Sequence, residues 1–92
     1  MNNSTDYWFD WFYNTWEEFS PGDLLDEGLL SSQIAERFVE QNQINLSDIA
    51  KEFDLENYEA LEAFMKLSES ELHILKYFLR LVKSENEFKE NL

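Results

Sequence analysis

The chain has 92 residues, of which 43% are apolar and 16% aromatic, so we expect one small folded domain built around a single core. Its 20 acidic residues outnumber the 7 Lys and Arg residues and give a net charge of −13. This charge argues against direct binding to nucleic acid or to an anionic membrane, since both attractions need positive charge on the protein.

Strong helix breakers are concentrated in one short segment, because the only proline and both glycines lie between Pro21 and Gly28. The rest of the chain favours helix. We therefore predict an all-α fold with about five helices in a single domain over residues 1–92. The caps delimit six candidate segments, some only about one or two turns long: 6–19, 21–27, 31–41, 48–53, 58–67 and 69–84; residues 85–92 are free to fray. The predicted capping residues are Ser4 or Thr5, Ser20, Ser31 or Ser32, Ser47 and Ser68.

The first predicted helix is unusually aromatic, since eight of the thirteen positions from Tyr7 to Phe19 are aromatic. On a helical projection seven of these side chains, those from Trp8 to Phe19, spread over about 200° of arc, whereas a helix on the surface of a domain needs an apolar stripe of little more than about 100°. This helix is therefore either enclosed by other helices or in contact with another molecule. The last helix has an ordinary core stripe: Leu72, Leu75, Phe78, Leu79 and Val82, widened by Ile74 and Leu81.

Residues 46–67 resemble a helix-turn-helix, a motif that often reads DNA. Ile49 and Ala50 would lie in its first helix, Phe53 and Leu55 near the turn, and Ala60, Phe64 and Leu67 on the buried side of its second helix. The exposed side of the second helix would carry carboxylates, which repel phosphates. If the motif is present, it is expected to be a scaffold and not a DNA reader.

The negative charge is unevenly distributed along the chain. Residues 1–36 carry −8, residues 37–65 carry −5, and residues 66–92 are neutral overall. Acids three or four positions apart on a helix lie about 5–6 Å from each other, a separation of the same order as that of successive phosphates. Such a surface can fit a cationic groove, although acidity also serves solubility alone.

The chain is similar in size and charge to small acidic viral inhibitors of host nucleic-acid enzymes, which include anti-restriction and anti-CRISPR proteins. The resemblance implies a nucleic-acid mimic that occupies the basic groove of a nuclease or other nucleic-acid-binding protein. The candidate partner-binding residues are acids on several helices together with aromatic side chains as anchors, if they are exposed. They are Asp23, Asp26, Glu27, Glu36, Glu40, Asp48, Glu52, Glu56, Glu59, Glu62, Trp8, Trp11, Tyr13 and Trp16.

Catalysis finds little support in the sequence. The single histidine, His73, lies within the last helix, and without cysteine the chain has neither thiolate chemistry nor the usual transition-metal ligands. We therefore expect no enzymatic activity and no cofactor. The alternative to a mimic is a helical interaction or regulatory protein, possibly a homodimer joined through the aromatic first helix. No targeting signal or membrane span is recognisable, so we expect a cytoplasmic protein, acting in the host cytoplasm if its source is viral.

Overall fold

The computed structural model describes residues 4–51 and 55–90 of the chain, and within these ranges it contains six α-helices and no β-strand. The all-α prediction is confirmed. In chain order the helices are α1 (Ser4–Phe19), α2 (Pro21–Asp26), α3 (Ser31–Gln41), α4 (Leu46–Ala50), α5 (Leu55–Met65) and α6 (Glu69–Glu90).

The longest helix, α6, organises the packing. Helices α3 and α4 both pack along it, while α2 packs against α3 and α1 against α5. The predicted stripe on α6 is confirmed, because Ile74, Leu75, Phe78 and Val82 are buried. Leu79 and Leu81 are half-buried at its edges.

Aromatic side chains join α1 to this framework and form the centre of the core. The ring of Phe12 lies 5.6 Å from that of Phe38 on α3 and 5.4 Å from that of Phe78 on α6, measured between centroids. Trp16, one turn further along α1, lies 5.3 Å from Phe38. Because these rings come from three helices, their burial fixes how the three helices lie against each other.

The structure changes some of the predicted helix caps. At the start of α4 the side-chain oxygen of Asn45 accepts hydrogen bonds from the backbone N–H groups of Ser47 (3.0 Å) and Asp48 (3.3 Å), so Asn45 is the cap and the prediction of Ser47 was wrong. Both residue types cap well, so the sequence does not choose between them. At the start of α6 the hydroxyl oxygen of Ser68 accepts from the N–H of Glu71 at 3.3 Å, as predicted.

The predicted caps of α1 and α3 were also misplaced. Helix α1 begins at Ser4, so Ser4 and Thr5 lie inside its first turn. Helix α3 begins at Ser31, and the residue at its N-cap is Leu30, whose side chain has no hydrogen-bonding atom. Instead the side chain of Gln33 accepts a hydrogen bond from the Leu30 N–H at 2.9 Å.

Ser20 lies directly before α2, where the cap of this helix was predicted, but its side chain does not cap the helix. Ser20 precedes Pro21, the first residue of α2, yet its hydroxyl donates back to the carbonyl of Glu17 at 3.2 Å and makes no capping bond. Its backbone is left-handed, with φ 56°. Helix α2 ends at Asp26, and Gly28, the predicted terminator, follows two positions later with a φ of 95° that favours glycine.

The ends of three helices differ from their predicted positions. Helix α4 begins at Leu46 and ends at Ala50, whereas the predicted end at Phe53 lies outside the described residues. Helix α5 spans Leu55–Met65 instead of the predicted 58–67. Helix α6 continues to Glu90, beyond the predicted end at about Ser84, and fraying of residues 85–92 stays a prediction. The segment after Ser84 contains no glycine or proline that would end a helix.

Helix α5 faces the core with a different side from the one predicted. Its buried residues are Tyr58, Leu61 and Met65, whereas Ala60 and Phe64 are exposed. Apolar residues occur around most of this helix, so their spacing alone does not fix which face turns inward. The second helix of the helix-turn-helix-like segment is therefore rotated by about one residue from the predicted orientation.

Candidate functional site

Acidic side chains cover the outer faces of several helices. Every candidate carboxylate in the described residues is exposed, except that Glu62 is half-buried; Glu52 lies outside the described residues. The exposed candidates are Asp23, Asp26 and Glu27 on or after α2, Glu36 and Glu40 on α3, Asp48 on α4, and Glu56 and Glu59 on α5. Asp10, Glu17 and Glu18 extend the negative charge along the outer face of α1.

These carboxylates are almost all without a cationic neighbour. Within the described ranges one ion pair occurs, in which the amino group of Lys51 lies 3.9 Å from a carboxylate oxygen of Asp48, and both side chains are largely exposed. Exposed pairs of this kind contribute little to stability. The acidic charge therefore remains uncompensated within the part of the chain that the structure shows.

Glu62 differs from the other acids because it lies beside a core residue. Burial raises the pKa of the Tyr58 hydroxyl, and the neighbouring Glu62 carboxylate raises it further. Tyr58 is therefore held in its neutral form. Glu62 contributes to this local arrangement as well as to the surface charge, so it is a less suitable position for testing the surface alone.

The aromatic helix α1 is partly core and partly surface. Trp16 is 0% exposed and Trp8 is 9% exposed, so in this structure neither offers a surface to a partner. Trp11 and Tyr13 are each 37% exposed and remain candidate anchors. The buried side chains of α1 occupy an arc of about 100°, half of the aromatic arc, and exposed aromatic side chains lie along both of its edges.

The sequence reasoning missed one prominent surface residue of this helix. Tyr7 is 77% exposed and lies one turn before Trp11. On the helical projection Tyr7 lies about 40° beyond Trp11, at the edge of the aromatic arc, and this position could have identified it as a surface residue. The hypothesis of a homodimer through α1 stays a hypothesis, now restricted to these exposed edges.

Among the residues that the structure describes, the main cationic stretch lies in the middle of α6. Between Leu72 and Ser84 the chain has three Lys or Arg residues and no acid. Lys76, Arg80 and Lys83 are exposed, as is His73, and the guanidinium carbon of Arg80 lies 4.9 Å from the centre of the Tyr77 ring. Acids lie on α6 at both ends of this stretch, so the helix as a whole is not cationic.

Among the described residues, no group of three or more Asp, Glu or His side chains is arranged to hold a metal ion. None of the helices described is both long enough and apolar enough to cross a membrane. No protein-family model, no curated protein and no solved structure matches this chain.

Proposed function

We propose that this chain is a small binding protein that inhibits a nucleic-acid-binding protein or nuclease, such as a CRISPR effector or a restriction enzyme, by occupying its basic groove as a nucleic-acid mimic. The groove would belong to a host enzyme, and if the source is viral the inhibitor would act in the host cytoplasm. It would need no catalytic group and no cofactor.

The observation that carries this proposal is the set of exposed carboxylates that have no cationic partner in the described structure. Like charges held on one surface repel each other and destabilise a folded chain. A cationic groove would relieve that repulsion, and the acids would replace the phosphates of the natural ligand. Solubility alone requires net charge, but it does not require that the whole excess of acids lie in residues 1–65 while residues 66–92 are neutral.

The physical model predicts a strong dependence on salt. Exposed charges are screened beyond about 8 Å at physiological ionic strength and beyond about 3 Å at about 1 M salt. Long-range attraction between the acidic surface and a basic groove would then speed association at low salt and fade at high salt. A partner bound mainly through apolar contacts would keep its affinity.

The test compares two variants that remove the same number of charges from different places. The first carries Glu36→Gln, Glu40→Gln and Glu59→Gln, all exposed on α3 and α5. The matched control carries Glu69→Gln, Glu85→Gln and Glu87→Gln, three acids of α6. Wild type and both variants are immobilised and used to capture proteins from a host lysate at low and high salt. Duplex DNA or RNA is then added as a competitor.

The proposal expects that the captured protein binds nucleic acid, that nucleic acid displaces it, and that the first variant captures it much less than the control does. Purified, the same protein should lose its activity on nucleic acid when the wild-type chain is added. Equal capture by the two variants, or a complex that nucleic acid does not displace, would overturn the proposal.

A further inference from the structure

One edge of α1 forms an exposed aromatic ridge that lies between two surface grooves. The ridge consists of Tyr7 and Trp11, which are four positions apart and therefore neighbours on the same face of the helix. Both residues line both grooves. An exposed Tyr next to an exposed Trp is a large apolar surface for a chain of this size, and such pairs are characteristic of interface anchors.

The first groove, of about 430 Å³, separates the ridge from the connection between α3 and α4. Its polar lining includes the side chains of Asn42 and Asp48. The Asn42 amide nitrogen donates to the carbonyl of Phe38 at 2.9 Å, which holds that side chain in place. Asp48 is exposed, and its distance of 3.9 Å to Lys51 leaves the carboxylate available to another cation.

Gln43, which also lines the first groove, has a left-handed backbone with φ 51°. Its N–H donates to the carbonyl of Glu40 at 3.2 Å, and the next N–H, of Ile44, donates to the carbonyl of Val39 at 3.0 Å. Glycine is the residue that adopts this conformation without strain. Left-handed residues also follow α1 (Ser20) and α5 (Lys66), so this conformation ends α3 as it ends those helices, and Gln43 borders the groove with a long amide side chain.

The second groove, of about 360 Å³, lies on the other side of the ridge and is lined by Asp10 and Glu18 of α1. Carboxylates therefore flank the ridge on both sides. Neither groove has a Lys, Arg or His in its lining. Aromatic faces bordered only by negative charge attract cations, through the electron-rich ring faces and through the carboxylates.

We propose that the ridge of Tyr7 and Trp11 binds an arginine side chain of a basic partner protein. The guanidinium stacks on the ring of Trp11 or Tyr7 while Asp48 accepts its hydrogen bonds. Arginine fits better than lysine because its planar group stacks on aromatic rings and is less strongly hydrated than an ammonium. This inference rests on the proposed function and deepens it, since it names the partner side chain that anchors the acidic surface in a basic groove.

The test measures the site directly, without the partner. Capped peptides of sequence Gly-Gly-Arg-Gly-Gly, and the same peptides with Lys or the neutral analogue citrulline in place of Arg, are titrated into the full chain. Binding is followed by the NMR signals of the three Trp indole N–H groups, with the Trp11 signal identified by Trp11→Phe. The expected result is a saturable shift of the Trp11 signal with the Arg peptide. The Lys and citrulline peptides should bind at least about fivefold more weakly than the Arg peptide.

Two variants control for exposed aromatic surface in general. Trp11→Ala should weaken binding of the Arg peptide roughly fivefold or more, measured from the backbone amide shifts around Asp48. Phe64→Ala removes a similarly exposed ring on α5 that lines neither groove, and should leave affinity unchanged. Equal loss in both variants, or equal binding of the Arg and citrulline peptides, would overturn the inference.

The outcome is distinguishable from failure of the proposed function. If the Arg peptide binds at Trp11 but no captured partner competes with nucleic acid, the arginine site stands and the mimic proposal fails. If partner capture depends on Glu36, Glu40 and Glu59 but is the same with Trp11→Ala, the mimic proposal stands and the arginine site fails.

Discussion

The core residue Phe38 offers the sharpest test of the packing that holds the acidic helices in place. Its side chain is fully buried, and its ring centroid lies 5.6 Å from Phe12, 5.3 Å from Trp16, 5.1 Å from Phe19 and 5.6 Å from Phe78. These partners come from α1 and α6. Removing the ring therefore weakens three helices at once.

The size of the effect follows from this burial. Phe→Ala in a core costs about 3–5 kcal/mol, and with four aromatic neighbours, each pair worth about 0.5–1.5 kcal/mol, we place Phe38→Ala near the upper end. A domain of this length has a free energy of unfolding of about 5–14 kcal/mol, so the alanine variant would lose between about one third and all of it. Phe38→Leu keeps most of the volume and is expected to cost about 1–2 kcal/mol.

The assay is urea-induced unfolding followed by far-ultraviolet circular dichroism and by Trp fluorescence. Phe64→Leu is the control, because the same substitution at a residue that is 44% exposed should cost about 0.5 kcal/mol or less. For Phe38→Leu the melting temperature should fall by about 4–15 °C. If Phe38→Leu were no more destabilising than Phe64→Leu, the reasoning that Phe38 is the centre of the core would be refuted.

Three further predictions concern single positions. Gln43→Gly should raise the free energy of unfolding by about 0.5–1 kcal/mol, because glycine adopts the left-handed backbone of this position without strain; a decrease in urea unfolding would contradict this. Asn45→Ala should lower it by about 1 kcal/mol while Ser47→Ala changes it little, and the reverse order would restore Ser47 as the cap of α4. The pKa of Tyr58 is raised in the folded state, so folding favours the protonated hydroxyl: this contribution to stability is fully present below pH of about 10 and is lost as pH rises through the folded pKa. Unfolding midpoints of wild type and Tyr58→Phe at pH 8 and pH 11 measure this loss, since only the wild type has it; parallel decreases in both proteins would refute the assignment.

The parts of the fold that depend on local pattern were predictable. Ser68 precedes Glu71 by three positions and caps α6 as expected, because the bond joins groups within one helical turn. The α6 stripe was equally legible, since its apolar residues recur at helical spacing with charged residues between them. Gly28 ends α2 because few other residues adopt its backbone conformation.

The sequence was less informative where two residues compete for one role or where apolar residues surround a helix. Asn45 and Ser47 both cap well, and only the three-dimensional path of the chain selects Asn45. The inward face of α5 could not be predicted because apolar residues surround most of that helix. Tyr58, Leu61 and Met65 turn into the core, whereas Phe64 stays at the surface, 5.6 Å from Phe9 and 6.0 Å from Tyr13 of α1.

The candidate site, like the fold, was predictable only in part. The net charge and its uneven distribution are properties of the residues themselves, so the acidic character of the surface followed from the sequence. Which aromatic side chains remain exposed did not follow from it. Trp16 and Trp11 lie on the same aromatic helix, yet one is buried against Phe38 and the other faces a groove.

The sequence by itself thus determined the all-α fold and the position of the charge along the chain, because helical propensity and side-chain ionisation are local properties. The tertiary structure alone decided that about half of the aromatic arc of α1 is core and that its Tyr7 and Trp11 edge lies between two grooves bordered by carboxylates. Burial and the first groove arise where segments distant in sequence meet, here α1 and the connection between α3 and α4, so no pattern within α1 specifies them.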